Sequence, residues 1–214
     1  KGNGRAFSAG YDLKVEGVHD PIPRLRALEK LNNASRWAIW DLKKPVIAQV
    51  HGYCLGGALE LAIPCDFVIA SEDCAIGEPE IQFGEPVGFL LIPWLVGLRK
   101  AKDLLLTGEN VTGSEAAEMG LISKAVPADE LEGEVAALAD KLRRIPPPAM
   151  MWQKRGINRA FEIMGMKAAT DSWVDMAVLT GLMETDEVVE FNRIVREKGI
   201  KAAMAWKNAL YDEK

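Results

Sequence analysis

The sequence has few histidines and cysteines and no long uninterrupted apolar segment. Two histidines and three cysteines without metal-binding spacing predict no zinc site and no other metal centre. The small, odd number of cysteines favours reduced thiols and a cytosol-like compartment. The longest apolar stretch, residues 87–98, is interrupted by Pro93 and Gly97 and is too short to span a bilayer, so we expect no membrane partner.

The chain also has no excess of positive charge. Its 214 residues include 26 Lys and Arg against 31 Asp and Glu, a formal net charge of −5. This balance argues against a nucleic-acid partner, because it provides no general attraction for phosphates. Hydrophobic residues make up 49% of the sequence, which excludes an intrinsically disordered chain and predicts a globular domain.

The first residues include neither an initiator methionine nor an apolar signal sequence. The turn-like segment 1–4 leads directly into residues 5–10, as if the sequence began in the middle of a fold. We therefore expect the N-terminal turn of the fold to be missing. The expected location is the cytoplasm, or an organelle matrix after loss of a further N-terminal segment.

Residues 45–70 predict a compact α/β unit. An apolar run at 45–50, a glycine-rich turn at 51–57, a helical stretch at 58–63 and a second apolar run at 66–70 follow one another. A strand, a glycine turn, a helix and another strand in this order are typical of an α/β architecture.

Other segments predict mainly helices. Ser114 and Gly120 are expected to begin and end a short helix, as an N-cap serine and a terminating glycine do. The remaining periodic segments predict an amphipathic helix at 21–42, a helix at 101–106, a strand at 121–126 and a helix at 127–142.

The composition changes near residue 146. Three consecutive prolines at 146–148 are followed by a segment with helical spacing of apolar residues and few strand signals. We therefore predict an α/β core over residues 1–145 and a helical region over residues 146–214.

Two turns of small residues are candidates for binding an anion through backbone N–H groups. Gly56 and Gly57 precede a predicted helix, where free N–H groups and the helix dipole favour negative charge. Residues 7–12 form the second candidate turn. Converging donors from both turns would make an oxyanion hole. The alternative is structural, because a tight strand-to-helix turn also needs glycine.

Two glutamates are candidates for proton transfer. Glu60 is the one charged residue within Ala58–Ala62, and an isolated carboxylate among apolar neighbours can act as an acid or base. The alternative is a solvent-facing glutamate that complements the helix dipole. Glu80 follows a predicted strand in a proline-containing loop. The neighbouring Glu78 and Glu85 leave open that Glu80 is an ordinary surface residue.

Four segments, in order along the chain, form a recognisable set. They are GRAFSAGYDL (4–13), KPVIAQVHGYCLGGALELAIPCDFVIAS (44–71), AIGEPEIQFGEPVG (75–88) and LLLTGENVTGSEAAEMGLISKAVPADEL (104–131). Together they resemble the crotonase superfamily, the enoyl-CoA hydratase/isomerase group. The resemblance implies an α/β spiral of β-β-α turns followed by a C-terminal helical trimerisation region, with homotrimers often paired into hexamers. It implies an acyl-CoA thioester substrate and no cofactor beyond the coenzyme A of that substrate.

The resemblance also implies roles for individual residues in the syn addition of water to a 2-enoyl-CoA. Glu60 corresponds to the base that activates water for attack at C3, and Glu80 to the acid that protonates C2. The N–H groups of Ala9 and Gly57 correspond to the oxyanion hole for the thioester oxygen. The residues implied to bind the substrate are Ala9, Gly10, Tyr11, Asp12 and Gly57.

Several alternatives remain at this point. An enoyl-CoA isomerase or a CoA-dependent hydrolase could use the same pocket, although the presence of both Glu60 and Glu80 favours a hydratase. A non-catalytic or RNA-binding relative is a second alternative. A dinucleotide-binding oxidoreductase does not fit, because residues 52–57 do not follow G-x-G-x-x-G. Phe89 stands where a small residue is common, and it either packs in the core or narrows the acyl pocket.

Overall fold

The first four strands of this chain alternate between two small sheets. The computed structural model describes residues 1–12, 21–27, 33–181, 183 and 185–212. In this part of the chain, one sheet is parallel throughout and has the order β1-β3-β6. Its strands are β1 (Ile47–Val50), β3 (Phe67–Ser71) and β6 (Lys124–Val126).

The second sheet has the order β2-β4-β5, with β2 parallel to β4 and β5 antiparallel to β4. Its strands are β2 (Tyr53–Leu55), β4 (Ala75–Gly77) and β5 (Val111–Thr112). Because β1 is followed by β2 and β3 by β4, the chain passes from the first sheet to the second on two successive turns of a spiral.

A helix follows each of these strand pairs. Helix α3 (Gly57–Ala62) follows β2, while a short 3-10 helix, η1 (Pro79–Phe83), and then α4 (Ile92–Thr107) follow β4. Helices α5 (Gly113–Glu118) and α6 (Leu131–Leu142) come before and after β6. The repeated strand–strand–helix order confirms the predicted α/β spiral.

The core lies between these strands and helices. Val, Ile and Ala predominate in β1 and β3, as expected for parallel strands covered on both faces. Helices α3 and α4 contribute Leu59, Ala62, Ala101 and Leu104 to the same cluster of buried side chains. The core therefore fixes the start of α3, from which Gly57 and Glu60 are presented.

The remaining helices lie before β1 and after Pro146. The first two are α1 (Pro21–Ala27) and α2 (Ala34–Trp40). The C-terminal helices are α7 (Pro147–Ile163), α8 (Met166–Gly181), α9 (Asp186–Lys198) and α10 (Ile200–Asp212). The division into a core and a separate trimerisation region at residue 146 stays a prediction.

The C-terminal helix α7 is held against the core by a largely buried ion pair. Lys154 on α7 lies 2.7 Å from the carboxylate of Asp66, which also accepts a hydrogen bond from the N–H of Val46. On α8, the indole N–H of Trp173 donates to the carbonyl oxygen of Val87. The first contact joins α7 to the residues directly before β1 and β3, and the second joins α8 to the segment between η1 and α4.

Some predicted boundaries differ from the structure. The helix expected to begin at Ser114 is capped by Thr112, because the Thr112 hydroxyl accepts from the Glu115 N–H and the Glu115 carboxylate accepts from the Thr112 N–H. The strand expected at 121–126 is limited to β6, and the helix expected from 127 begins at Leu131.

Two further predicted helices have different lengths in the structure. The helix expected at 101–106 extends over all of α4, with non-helical backbone at Gly97. The single helix expected over 21–42 contains α1 and α2, and residues 28–32 lie outside the described part of the chain. Across the described residues, every helix is too short or too polar to cross a membrane.

Candidate active site

The turn from β2 into α3 brings backbone and carboxyl groups together. Gly56 has φ +55°, a backbone conformation that favours glycine, and its N–H donates to the carbonyl oxygen of Gly77 at the end of β4. A Cβ atom at Gly56 would collide with the carboxyl group of Glu80. Both conformation and space therefore require glycine here, in addition to any role in binding.

The N-terminal segment lies alongside β2 and reaches the same turn. Phe7 donates to the carbonyl of His51, Ser8 donates to that of Tyr53, and Leu55 donates to that of Ser8. Gly10 follows with φ +94°, and a Cβ atom placed there would lie 3.6 Å from the nitrogen of Gly57. The two turns predicted to bind the thioester oxygen are therefore adjacent.

The substrate-binding residues expected on this loop lie near its exposed side. Ala9 and Asp12 are exposed, Gly10 is half-buried, and Tyr11 is 46% exposed. The Tyr11 ring stands against Gly57, where a Cβ atom would lie 2.5 Å from the ring atom Cε2. The structure thus brings Gly10 and Tyr11 to the start of α3, with Ala9 adjacent to them in the chain.

Glu60 is enclosed by four hydrogen-bond donors. One oxygen, Oε1, accepts from the N–H groups of Gly88 at 2.5 Å and Phe89 at 2.8 Å. The other, Oε2, accepts from Arg36 at 2.7 Å and from the Tyr11 hydroxyl at 2.9 Å. With 1% of the residue exposed, the solvent-facing alternative is wrong. The expected apolar setting is also wrong, because a cation faces the carboxylate.

Arg36 was not singled out in the sequence. Its side chain, on α2, is 6% exposed and donates to the Glu60 carboxylate, to the Tyr11 oxygen at 2.8 Å and to the carbonyl of Gly57 at 3.4 Å. The one local signal is that Arg36 is the only charged residue of α2. That signal does not indicate a partner, because Glu60 lies 24 residues further along the chain.

The Tyr11 hydroxyl completes a three-residue cluster. It accepts from Arg36 and donates to Glu60. Burial and the charge of Glu60 raise the pKa of Tyr11, an effect that Arg36 opposes. The hydroxyl is therefore protonated at neutral pH and available as a donor.

Glu80 lies within η1, so the prediction of a loop is wrong, and Pro79 begins this short helix in the position that favours proline. The residue is not exposed. Burial raises the pKa of Glu80 to about 7, the charge of Glu60 acts in the same direction, and nearby N–H groups, including that of Gly57, oppose the rise. The carboxyl group can therefore hold or release a proton near neutral pH.

A third carboxyl group, that of Glu78, was noted in the sequence but given no role. It is 2% exposed, and neither oxygen has a hydrogen bond of good geometry within the described residues. Burial, followed by the charges of Glu60 and Glu80, raises the pKa of Glu78 well above its usual value. Glu78 also lines a mostly apolar cavity of about 210 Å³ between η1, α4 and α8.

Phe89 packs in the core. Its side chain is fully buried and meets Trp37 edge to face, with the ring centres 5.0 Å apart. Its backbone N–H and that of Gly88 hold Glu60, and a Cβ atom at Gly88 would lie 2.8 Å from Glu60 Oε1. The backbone of residues 88–89 therefore holds the carboxylate of Glu60 in place.

Neither cysteines nor metal-ligand clusters contribute to this arrangement. Cys54, Cys65 and Cys74 are free thiols. Burial raises the pKa of Cys65 to about 11 and that of Cys74 to about 12, so both are unreactive at neutral pH. Among the described residues, no group of three or more His, Cys, Asp or Glu side chains is placed to hold a metal ion.

Comparison with known proteins identifies a family. The sequence profile of the family described as "Enoyl-CoA hydratase/isomerase" matches residues 1–201. A crystal structure of an enoyl-CoA hydratase/isomerase from Xanthobacter autotrophicus Py2 superposes with a TM-score of 0.86 at 36% identity, covering 97% of this chain and 78% of that one.

Curated relatives are similar over a shorter range. The chain is 37% identical over 169 residues to "Probable enoyl-CoA hydratase, mitochondrial" of Dictyostelium discoideum, covering 76% of this chain and 58% of that protein. It is 39% identical over 161 residues to "Short-chain-enoyl-CoA hydratase" of Clostridium acetobutylicum, covering 74% and 61%. The chain therefore spans about three fifths of the length of these relatives.

Proposed function

Because the chain belongs to the enoyl-CoA hydratase/isomerase family, we propose that it is a hydro-lyase that adds water to a 2-enoyl-CoA. The product would be the 3-hydroxyacyl-CoA. The observation that carries this proposal is the placement of two glutamates, Glu60 buried and Glu80 half-buried, with different surroundings beside adjacent N–H-bearing turns. Glu60 is paired with a cation, whereas burial raises the pKa of Glu80 to about 7.

The difference between the two carboxyl groups suits opposite proton-transfer tasks. The Glu60 carboxylate, held by Arg36, is the proposed proton acceptor from the attacking water. Glu80 is protonated in a large fraction of molecules at neutral pH and is the proposed proton donor to C2. A hydratase needs one group of each kind, because water loses a proton as C2 gains one.

The two adjacent turns provide the proposed binding site for the thioester oxygen. We propose that the N–H groups of Ala9 and Gly57 donate to the thioester oxygen, with Gly10, Tyr11 and Asp12 lining the bound acyl-CoA. Gly57 is the first residue of α3, so its N–H lies at the positive end of the helix dipole. Negative charge that develops on the oxygen during attack at C3 would be stabilised there.

The remaining expectations follow from the family and stay predictions. We propose a homotrimer, or a hexamer of two trimers, with no cofactor other than the substrate's coenzyme A. The location in the cytoplasm or an organelle matrix also stays a prediction.

The test is the loss of 2-enoyl thioester absorbance when crotonyl-CoA is added to the parent protein. We expect Glu60→Gln and Glu80→Gln each to lower kcat by roughly 100-fold or more, because each removes one proton transfer. Glu132→Gln is the matched control, since Glu132 lies on the surface, where it pairs with Lys1.

Product analysis separates the hydratase from its alternatives. A hydratase forms 3-hydroxybutyryl-CoA, an isomerase moves the double bond, and a hydrolase releases free coenzyme A. A folded parent that binds CoA thioesters but forms no 3-hydroxyacyl product would contradict the proposal.

A further inference from the structure

The described hydrogen bonds of Glu60 leave its carboxylate without a free position for a water molecule. A carboxylate has about four positions at which it accepts hydrogen bonds. In Glu60 these are taken by two backbone N–H groups, by Arg36 and by Tyr11, and 1% of the residue is exposed. A water molecule that loses its proton to Glu60 therefore needs an intermediary, or the displacement of one donor.

Tyr11 is the donor placed to act as that intermediary. The Arg36 side chain is 6% exposed and Phe89 is fully buried, whereas Tyr11 is 46% exposed and belongs to the loop beside Gly57. The hydroxyl of Tyr11 thus touches Glu60 on one side, while its ring borders the proposed oxyanion hole.

The described hydrogen bonds of the Tyr11 hydroxyl leave one of its acceptor positions unused. Its oxygen has two lone pairs, and one of them accepts from Arg36. Its proton points to Glu60 Oε2, 2.9 Å away. A water molecule donating to the second lone pair would complete a chain from water through Tyr11 to Glu60.

We propose that Tyr11 is a further catalytic residue, which relays the proton of the attacking water to Glu60. In this step a water O–H bond breaks as its proton bonds to the Tyr11 oxygen, and the original Tyr11 proton moves to Glu60 Oε2. The water oxygen forms a bond to C3, the π electrons move toward the thioester oxygen, and Glu80 then protonates C2. Glu60 gains one proton and Glu80 loses one.

Arg36 assists this relay through its position. Its Nη2 atom lies 2.8 Å from the Tyr11 oxygen and 2.7 Å from Glu60 Oε2, so it stabilises negative charge on either atom during the transfer. Because the pKa of Tyr11 is raised, a free phenolate would be costly. The two proton movements are therefore expected to occur together.

The test compares Tyr11→Phe with the parent and with Tyr53→Phe, a control at an exposed tyrosine on β2. Tyr11→Phe keeps the ring that stands against Gly57 and removes the hydroxyl. We expect its kcat on crotonyl-CoA to fall by roughly 100-fold with KM changed by less than about threefold, as the loss of a proton-transfer group predicts. We expect Tyr53→Phe to match the parent.

Two further readouts separate a relay from a structural role. In the double variant Tyr11→Phe/Glu60→Gln, kcat should be no lower than in Glu60→Gln alone, because both changes interrupt one path. The parent should show a solvent deuterium isotope effect on kcat that depends on more than one proton, and Tyr11→Phe should lose that dependence.

The inference rests on the proposed function, and its failure can be told apart from the failure of that function. A parent that hydrates crotonyl-CoA while Tyr11→Phe is equally fast would overturn the relay alone, since water would then reach Glu60 without the hydroxyl. Additive losses in the double variant would overturn it as well. An inert parent would overturn both proposals.

Discussion

Glu60 and Glu80 illustrate how two identical side chains acquire different surroundings beside the same turn. Glu60 faces a guanidinium and three neutral donors. Glu80 faces no guanidinium in the described contacts, and burial in the presence of the Glu60 charge raises its pKa to about 7. The surroundings, and not the residue type, separate the roles proposed for them.

The raised pKa of Glu80 predicts a pH dependence of activity. If Glu80 donates a proton to C2, kcat/KM falls as pH rises through about 7, because the donor is then deprotonated. Glu80→Gln should lose this descending limb as well as most of the activity. The measurement is the pH profile of crotonyl-CoA hydration. A flat profile from about pH 6 to about pH 9, a range that brackets the pKa of Glu80, would contradict the assignment.

The same group predicts a pH dependence of stability. Its ordinary pKa is 4.5, so between that value and about 7 the folded state holds a proton that the unfolded state releases. The stabilisation is complete below the lower value and is lost as pH rises through the upper one. Urea unfolding across this range should show a steeper loss for the parent than for Glu80→Gln, in which burial still raises the pKa of Glu78 but the charge of Glu80 no longer does.

Removing the cation beside Glu60 should lower the stability of the protein. Arg36→Met leaves a buried carboxylate without its ion-pair partner, and we expect the free energy of unfolding to fall by about 3–5 kcal/mol. The double variant Arg36→Met/Glu60→Gln should recover part of this loss, because no unpaired charge remains. Urea unfolding measures both.

An exposed ion pair provides the control for that experiment. Arg143 and Asp140 are 2.6 Å apart on the surface of the molecule, and Arg143→Met should change the free energy of unfolding by no more than about 1 kcal/mol. Equal losses for Arg143→Met and Arg36→Met would contradict the role given to burial.

At the scale of elements, the site depends on glycines where segments approach closely. Gly56 leaves space for the Glu80 carboxyl, Gly57 for the Tyr11 ring and Gly88 for Glu60. The three positions lie at the start of α3 and in the segment before α4. A side chain at any of them would displace a proposed catalytic group, so these elements can pack together only around glycine.

The start of α5 permits a direct test of helix capping. Thr112→Ala removes the hydroxyl that accepts from the Glu115 N–H, and we expect it to destabilise the protein by about 1 kcal/mol. Ser114→Ala, at the position that the sequence suggested as the cap, should cost less than about 0.5 kcal/mol. Urea midpoints of the two variants decide between the caps, and a larger loss at Ser114 would contradict the structure.

At the scale of the whole molecule, several large apolar side chains lie on the surface. Such residues are common at subunit contacts, which fits the proposed trimer or hexamer. The most exposed are Leu98, Leu106, Trp152, Ile163, Met164 and Met183.

Sedimentation equilibrium tests the assembly. We expect a mass three or six times that of the 23.5 kDa chain. The same measurement at several protein concentrations is the control, because a specific assembly keeps its stoichiometry as the protein is diluted to low micromolar levels. A mass equal to one chain throughout would contradict the proposal.

The sequence by itself determined the α/β class, indicated the strands β1, β3 and β6, and singled out the two glutamates as candidates, whereas β2 lies within the segment predicted as a glycine-rich turn. These depend on local features, namely apolar runs, glycine turns and helical spacing, which short segments carry on their own. The resemblance to the crotonase superfamily rested on the same segments. Errors of a few residues, as at Ser114 and β6, arose because capping and strand length depend on neighbours in space.

Only the tertiary structure decided the surroundings of those glutamates. Arg36 is 24 residues and Tyr11 is 49 residues from Glu60 in sequence, and no periodic pattern connects them. Their contacts exist because α2, the N-terminal loop and the segment before α4 all pack around the first turn of α3. The ion pair and the proposed relay are therefore consequences of packing between distant segments, which local sequence does not specify.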